Sequence, residues 1–117
     1  MNFEIKKIND AIIFKLLEKK LDRTIAGLVK GEFTILFQTE DVKKLIIDLE
    51  EVEYCDSSGL SALLLAYRLI ENLEGELRVI NVRKAIQKLI EIAQLDKVLI
   101  IRNSLEEALK EFSEDKS

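Results

Sequence analysis

From Lys44 the chain reads KLIIDLEEVEYCDSSGLSALLLAY, and no other stretch restricts the fold as much. Leu45–Ile47, followed by Leu49, is a near-continuous apolar run, the pattern of a central strand covered on both faces. A short acidic loop follows, and Ser57 or Ser58 then opens a helix reaching about Asn72. Leu60, Leu63, Leu64 and Tyr67 recur at helical spacing and form its apolar face, while Ala62 and Ala66 leave room for close approach. A buried strand, a loop and an apolar helix in succession make half of a parallel β-α-β unit, so the chain must supply further strands to either side.

It does. FEIKKI (Phe3–Ile8) alternates with the period of a half-buried strand, Asn9-Asp10 is a hairpin-turn signal, and AIIFKLL (Ala11–Leu17) reads as a second, antiparallel strand. Thr24 to about Phe37 reads as a helix with Ile25, Leu28, Val29, Glu32 and Leu36 on one rough face. Gly27 and Gly31 weaken it by about 1 kcal/mol each relative to Ala. Four residues apart, they fit either a helix lying close on a sheet or a short helix with a broken end.

Downstream, GELRVINV is a turn and a strand, Arg83 to about Ala93 is a helix faced by Ile86, Leu89 and Ile90, and KVLIIR is a last strand. Ser104 to Phe112 is a final helix, started by the capping-box pattern Ser104-x-x-Glu107. The order β-β-α-β-α-β-α-β-α predicts a single α/β domain over residues 1–112: a mixed, mostly parallel sheet with an antiparallel N-terminal hairpin at one edge, and four helices. Residues 113–117, SEDKS, read as a polar tail.

Composition narrows the chemistry. The 117 residues are 48% hydrophobic and 34% charged, enough for a core and a solvated shell. A net charge of −4 without a long basic stripe makes direct nucleic-acid binding unexpected. The apolar stretches are too short to span a bilayer and the start shows no signal-peptide pattern, so a cytoplasmic location is expected. There is no histidine and one cysteine, Cys55, which removes Ser-His-Asp and Cys-His catalysis, an internal disulfide and a cysteine-based zinc site. No metal or cofactor is expected, and LVKGEF lacks the spacing of a phosphate-binding loop.

Chemistry is expected at YCDSSGL, where a strand hands over to a helix. The plain reading of Ser57 and Ser58 is a helix cap worth about 1 kcal/mol. The sharper one is modification: a phosphoryl group adds roughly −1.5 to −2 charges and would sit at the positive end of the helix. Gly59 fits close backbone approach. Asp22 reads as a solvated loop acid or an N-cap for the helix from Thr24 nearly as well as a partner contact, Asp56 as a plain loop acid, Ser61 as a packing residue and Cys55 as a small buried apolar residue.

The core LIIDLEEVEYCDSSGLSALL, the LD pair after the second strand, GELRVINV and KLIEIAQLDKVLII together resemble the STAS-domain family, specifically the bacterial anti-sigma factor antagonists. The resemblance implies that Ser57, directly after Asp56, is phosphorylated by a cognate anti-sigma factor that is also an ATP-dependent serine kinase. It further implies that the unphosphorylated chain binds that partner and frees a sigma factor, and that a PP2C-type phosphatase resets the switch. Asp22, Asp56, Ser57, Ser58 and Gly59 would then form the partner-binding surface, with ATP and Mg²⁺ belonging to the kinase and no catalysis by this chain. Lys19-Lys20 stand where the family usually has Gly-Glu, reversing charge beside Asp22. Two other readings compete: a ligand-binding STAS module serving as soluble partner of a lipid or anion transporter, and an enzyme with Ser57 as nucleophile, which the absence of a nearby base disfavours.

Overall fold

The computed structural model describes residues 1–114, with side chains through Phe112. Strands β1 (Phe3–Ile8) and β2 (Ala11–Leu16) form the hairpin, with Asn9 at φ 56° in its turn. Helix α1 (Ala26–Thr39), β4 (Lys44–Asp48), α2 (Ser57–Asn72), β6 (Glu76–Ile80), α3 (Lys84–Ile92), β7 (Ile101–Arg102) and α4 (Leu105–Glu114) follow. Two further strands of two residues each, β3 (Lys20–Leu21) and β5 (Tyr54–Cys55), lie outside that pattern. The main sheet runs β1-β2-β4-β6-β7, antiparallel between β1 and β2 and parallel elsewhere, with β4 at its centre.

The period of two in each strand sorts side chains onto two unequal faces. Ile12, Phe14 and Leu16 of β2, Leu45 and Ile47 of β4, and Leu77 and Val79 of β6 point to the larger core, which they share with α1, α2 and α3. Ala11, Ile13, Ile46 and Ile80 point the other way, under Ala108 and Phe112 of α4. Arg78 joins them on that face, buried but satisfied: its Nε donates to Glu111 at 2.7 Å and its guanidinium lies over the Phe112 ring. Arg102 Nε donates to the same carboxylate at 2.6 Å, so one acid neutralises two strand cations. The Arg78 hydrogen bond first, then that of Arg102 and the two positive charges, hold the Glu111 carboxyl below the usual range.

Several expectations need correction. Helix α1 buries Ala26, Val29, Phe33 and Leu36, not the face through Leu28; Leu28 is 57% exposed and Ile35 52%. Gly27 and Gly31 meet nothing: a Cβ at either would find no heavy atom within 4 Å. They therefore mark neither a close sheet contact nor a broken end, since the helix runs unbroken to Thr39. On α2 the buried face is Leu60, Ala62, Leu63, Ala66 and Ile70, with Leu64 and Tyr67 only flanking it, and Ser61 is exposed. The last strand is two residues, because Lys97–Leu99 turn instead: Val98 and Leu99 N–H both donate to Leu95 O. Of the expected polar tail, the α4 backbone takes in Ser113 and Glu114, and 115–117 lie outside the described residues.

Helix ends explain the loop geometry. After α2, Gly75 N–H donates to Ile70 O and Glu74 N–H to Glu71 O, both at 2.9 Å, a Schellman closure with Glu74 left-handed at φ 57°. Gly75 is required for a different reason: a Cβ there would lie 2.5 Å from Lys43 O. At α4 the capping box forms as expected, with Glu107 N–H donating to Ser104 Oγ and Asn103 N–H donating to Glu107 Oε1.

Candidate docking site around Ser57

Asp56 ends the loop after β5 in extended backbone (φ −114°, ψ −172°), and α2 starts one residue later. Its carboxylate, not a serine hydroxyl, is the cap: Oδ1 accepts from Gly59 N–H at 3.0 Å, and Asp56 O accepts from Leu60 N–H at 3.0 Å. The second carboxylate oxygen accepts from Arg23 N–H at 3.2 Å, which ties the helix start to the loop before α1. With Asp56 capping, Ser57 and Ser58 become the first two helical residues. Ser57 is exposed and Ser58 half-buried.

The clasp behind them is the small parallel sheet. Leu21 of β3 pairs with Cys55 of β5 and Lys20 with Tyr54, and Asp56 N–H donates to Leu21 O at 3.3 Å. Glu53 and Tyr54 N–H both donate to Lys19 O. This ladder brings the loop of Asp22 alongside that of Asp56, 34 residues away in sequence, at the start of α2.

Gly59 is the keystone of that approach. A Cβ on Gly59 would stand 2.2 Å from Leu21 O and 2.7 Å from Cys55 Sγ, distances that only backbone displacement could relieve. The DSSG glycine is therefore set by β3 lying against the first turn of α2. Neighbouring Ala62 and Leu63 are fully buried, so the serine stands on a helix that cannot easily shift.

Asp22 folds its own loop. Its Oδ1 accepts from Thr24 N–H at 3.0 Å and from the Thr24 hydroxyl, while its carbonyl accepts from Ile25 and Ala26 N–H. The hydroxyl bond is the main reason its carboxyl is held below the ordinary range; the Thr24 N–H bond and then the nearby Lys20 charge add to this. Cys55 is buried, and burial first, then the charges of Asp56 and Asp22, push its thiol up to about 12. At neutral pH it stays protonated and is a poor nucleophile.

All five residues singled out in the sequence are thus gathered: Asp22, Asp56 and Gly59 by hydrogen bonds or close contact to the same loop pair, Ser57 and Ser58 by position on α2. Sequence reasoning missed Leu21, Arg23 and Tyr54. Leu21 and Arg23 act through backbone groups, which carry no side-chain signature, and the exposed Tyr54 ring beside the site belongs to a strand too short to show a period. Among the described residues no group of three or more acids or cysteines is placed to hold a metal ion, and no helix is long and apolar enough to cross a membrane.

Fold and site together define a small α/β module that presents an exposed serine on the first turn of a clamped helix. The chain belongs to the STAS domain family, whose family model matches residues 2–108. It is 26% identical over 112 residues to an anti-sigma F factor antagonist of Paenibacillus polymyxa, an alignment covering 95% of this chain and 96% of the relative. It is 29% identical to an anti-sigma-B factor antagonist of Listeria monocytogenes, covering 88% and 90% of the two chains. Among solved structures, an anti-sigma-factor antagonist (STAS) domain protein from Planctomyces limnophilus superposes with a TM-score of 0.86 at 19% identity, over 95% of this chain and 97% of that one.

Proposed function

We propose that this chain is an anti-sigma factor antagonist switched at Ser57. The unphosphorylated form binds an anti-sigma factor that is also a serine kinase and so releases a sigma factor. Phosphorylation of Ser57 ends that binding, and a PP2C-type phosphatase restores it. In this cycle the chain is a binding module, not a catalyst.

The observation that carries the reading is the division of labour at the helix start. Asp56 caps α2 and Gly59 admits β3, which leaves the Ser57 hydroxyl exposed with no structural duty of its own. A group added there meets solvent instead of core. Its roughly two negative charges face the helix N-terminus, which favours them, and the carboxylates of Asp56 and Asp22, which do not. The fold therefore tolerates the modification while the potential of the docking surface changes sharply. The relatives' role as antagonists of anti-sigma factors supports the same reading.

The test is incubation with a candidate anti-sigma kinase and ATP, followed by mapping of the phosphosite by mass spectrometry. Phosphate is expected on Ser57 and absent from Ser57→Ala. Ser57→Asp is expected to bind the anti-sigma factor at least about tenfold more weakly than Ser57→Ala, since a charge desolvated at an interface costs more than about 1.4 kcal/mol. Equal binding by the two variants, or phosphate mapped elsewhere in every pairing, would sink the mechanism.

A further inference from the structure

The edge of the main sheet farthest along the order from β7 is β1, and among the described residues no strand pairs with its outer side. Asn2 O accepts from Leu17 N–H at 2.8 Å, which sets the alternation of the hairpin. Glu4, Lys6 and Ile8 then exchange backbone bonds with β2, and the N–H and C=O groups of Phe3, Ile5 and Lys7 point outward. Edge strands are commonly protected by charged side chains, lysine above all. Here both signs occur: Glu4 and Lys6 flank Ile5, and Lys7 follows.

That pattern is self-complementary. An antiparallel copy centred on Ile5 places Ile5 against Ile5 as a hydrogen-bonded pair and Phe3 against Lys7. Glu4 then lies against Lys6 twice, in the non-hydrogen-bonded pairs where side chains come closest. The two-fold axis of such a pairing is perpendicular to the sheet, so α1 of each copy ends up on the same side, beyond its own β1. The outer flank of α1 that would meet its mate carries apolar side chains among polar ones, with Glu32 and Thr39 beside Ile35. Ile35 (52% exposed) and Ile5 (46%) line one hollow of about 300 Å³ between α1 and β1, and Gly31 and Leu28 (57%) lie one and two turns back from Ile35. Lys7 is held to Glu40 at 3.0 Å along the same rim.

We propose that a second copy of this chain docks on this edge, joining two five-stranded sheets into one of ten through antiparallel β1 pairing about Ile5. The outward backbone groups, the opposite charges of Glu4 and Lys6, and the exposed Ile5, Leu28 and Ile35 are three separate features, and one occupant satisfies all of them. None of the residues around Ser57 lies on β1, so the pairing leaves the serine surface uncovered.

The experiment is sedimentation velocity over a concentration series, with charge-swapped variants of two exposed side chains that the core does not use. Glu4→Lys sets lysine against lysine and Lys6→Glu sets glutamate against glutamate, so each is expected to raise the dimer dissociation constant about tenfold. The double variant, Glu4→Lys with Lys6→Glu, restores opposite charges and is expected to return to near the original value. Ile5→Cys is expected to form an intermolecular disulfide under mild oxidation, because hydrogen-bonded antiparallel partners lie about 5.5 Å apart at Cα, within disulfide reach. Lys7→Cys, which faces Phe3 across the pairing, is not. A chain that stays monomeric to roughly millimolar concentration overturns the proposal. So does a double variant no better than the singles, or equal cross-linking of the two cysteines.

Discussion

Helices α1 and α2 lie side by side on the same face of the sheet, and both carry glycine, yet the glycines do opposite things. Gly59 sits where Leu21 O and Cys55 Sγ leave no room for a Cβ, whereas Gly27 and Gly31 look onto open space. The two helix starts differ as well. The α2 start is held from outside, by Asp56 reaching Arg23 and by the β3–β5 ladder. The α1 start is held locally, by Asp22 bonding Thr24 two residues on. A glycine in a helix thus reports a contact only if another chain segment lies opposite, and that segment is invisible in the helix's own sequence.

The contrast can be broken most severely at Gly59. Gly59→Ala is expected to cost about 3 kcal/mol or more, read as a lower urea midpoint, because a backbone carbonyl must move to admit the methyl group. An unchanged midpoint would mean that β3 is not clamped against α2. Asp56→Ala is next: loss of the cap is expected to cost about 1–2 kcal/mol in the same measurement, and Asp56→Asn to recover most of it. The opposite sign is expected at Gly31, where Ala fits the helix and touches nothing. Gly31→Ala should stabilise dilute protein by about 1 kcal/mol.

The smallest effect concerns Asp22. Its lowered carboxyl means that the folded chain binds this proton more weakly than the unfolded one. Its stabilisation is therefore present above the ordinary carboxylate value and is lost as pH falls through the depressed one. Thr24→Val, which removes the hydroxyl donor, should move the Asp22 titration seen by NMR back up toward the ordinary range. A titration that stays put would assign the shift to the Thr24 backbone N–H and the Lys20 charge instead.

The comparison also marks how far the sequence could be read. LIID announced a strand covered on both faces, and β4 is central, with Leu45 and Ile47 in one core and Ile46 in the other. The hairpin, the α4 capping box and the helix starting at the serines were legible for the same reason: each is encoded by neighbours within about four residues. The face of α1 was misread at Leu28, which is apolar but exposed, and hydrophobicity cannot tell a core residue from a surface one.

By itself the sequence determined the alternation of strands and helices, the central strand and the polar junction at Asp56-Ser57-Ser58-Gly59, since these follow from local periodicity and capping chemistry. Only the tertiary structure decided what that junction is. Two strands of two residues, β3 and β5, bring Leu21 against Cys55 and so set Asp22 beside Asp56, make Gly59 indispensable, and give the cap to Asp56 and exposure to Ser57. A two-residue strand has no period to read. Its partner lies more than thirty residues away, and the forces that join them are backbone hydrogen bonds, which every residue but proline can make.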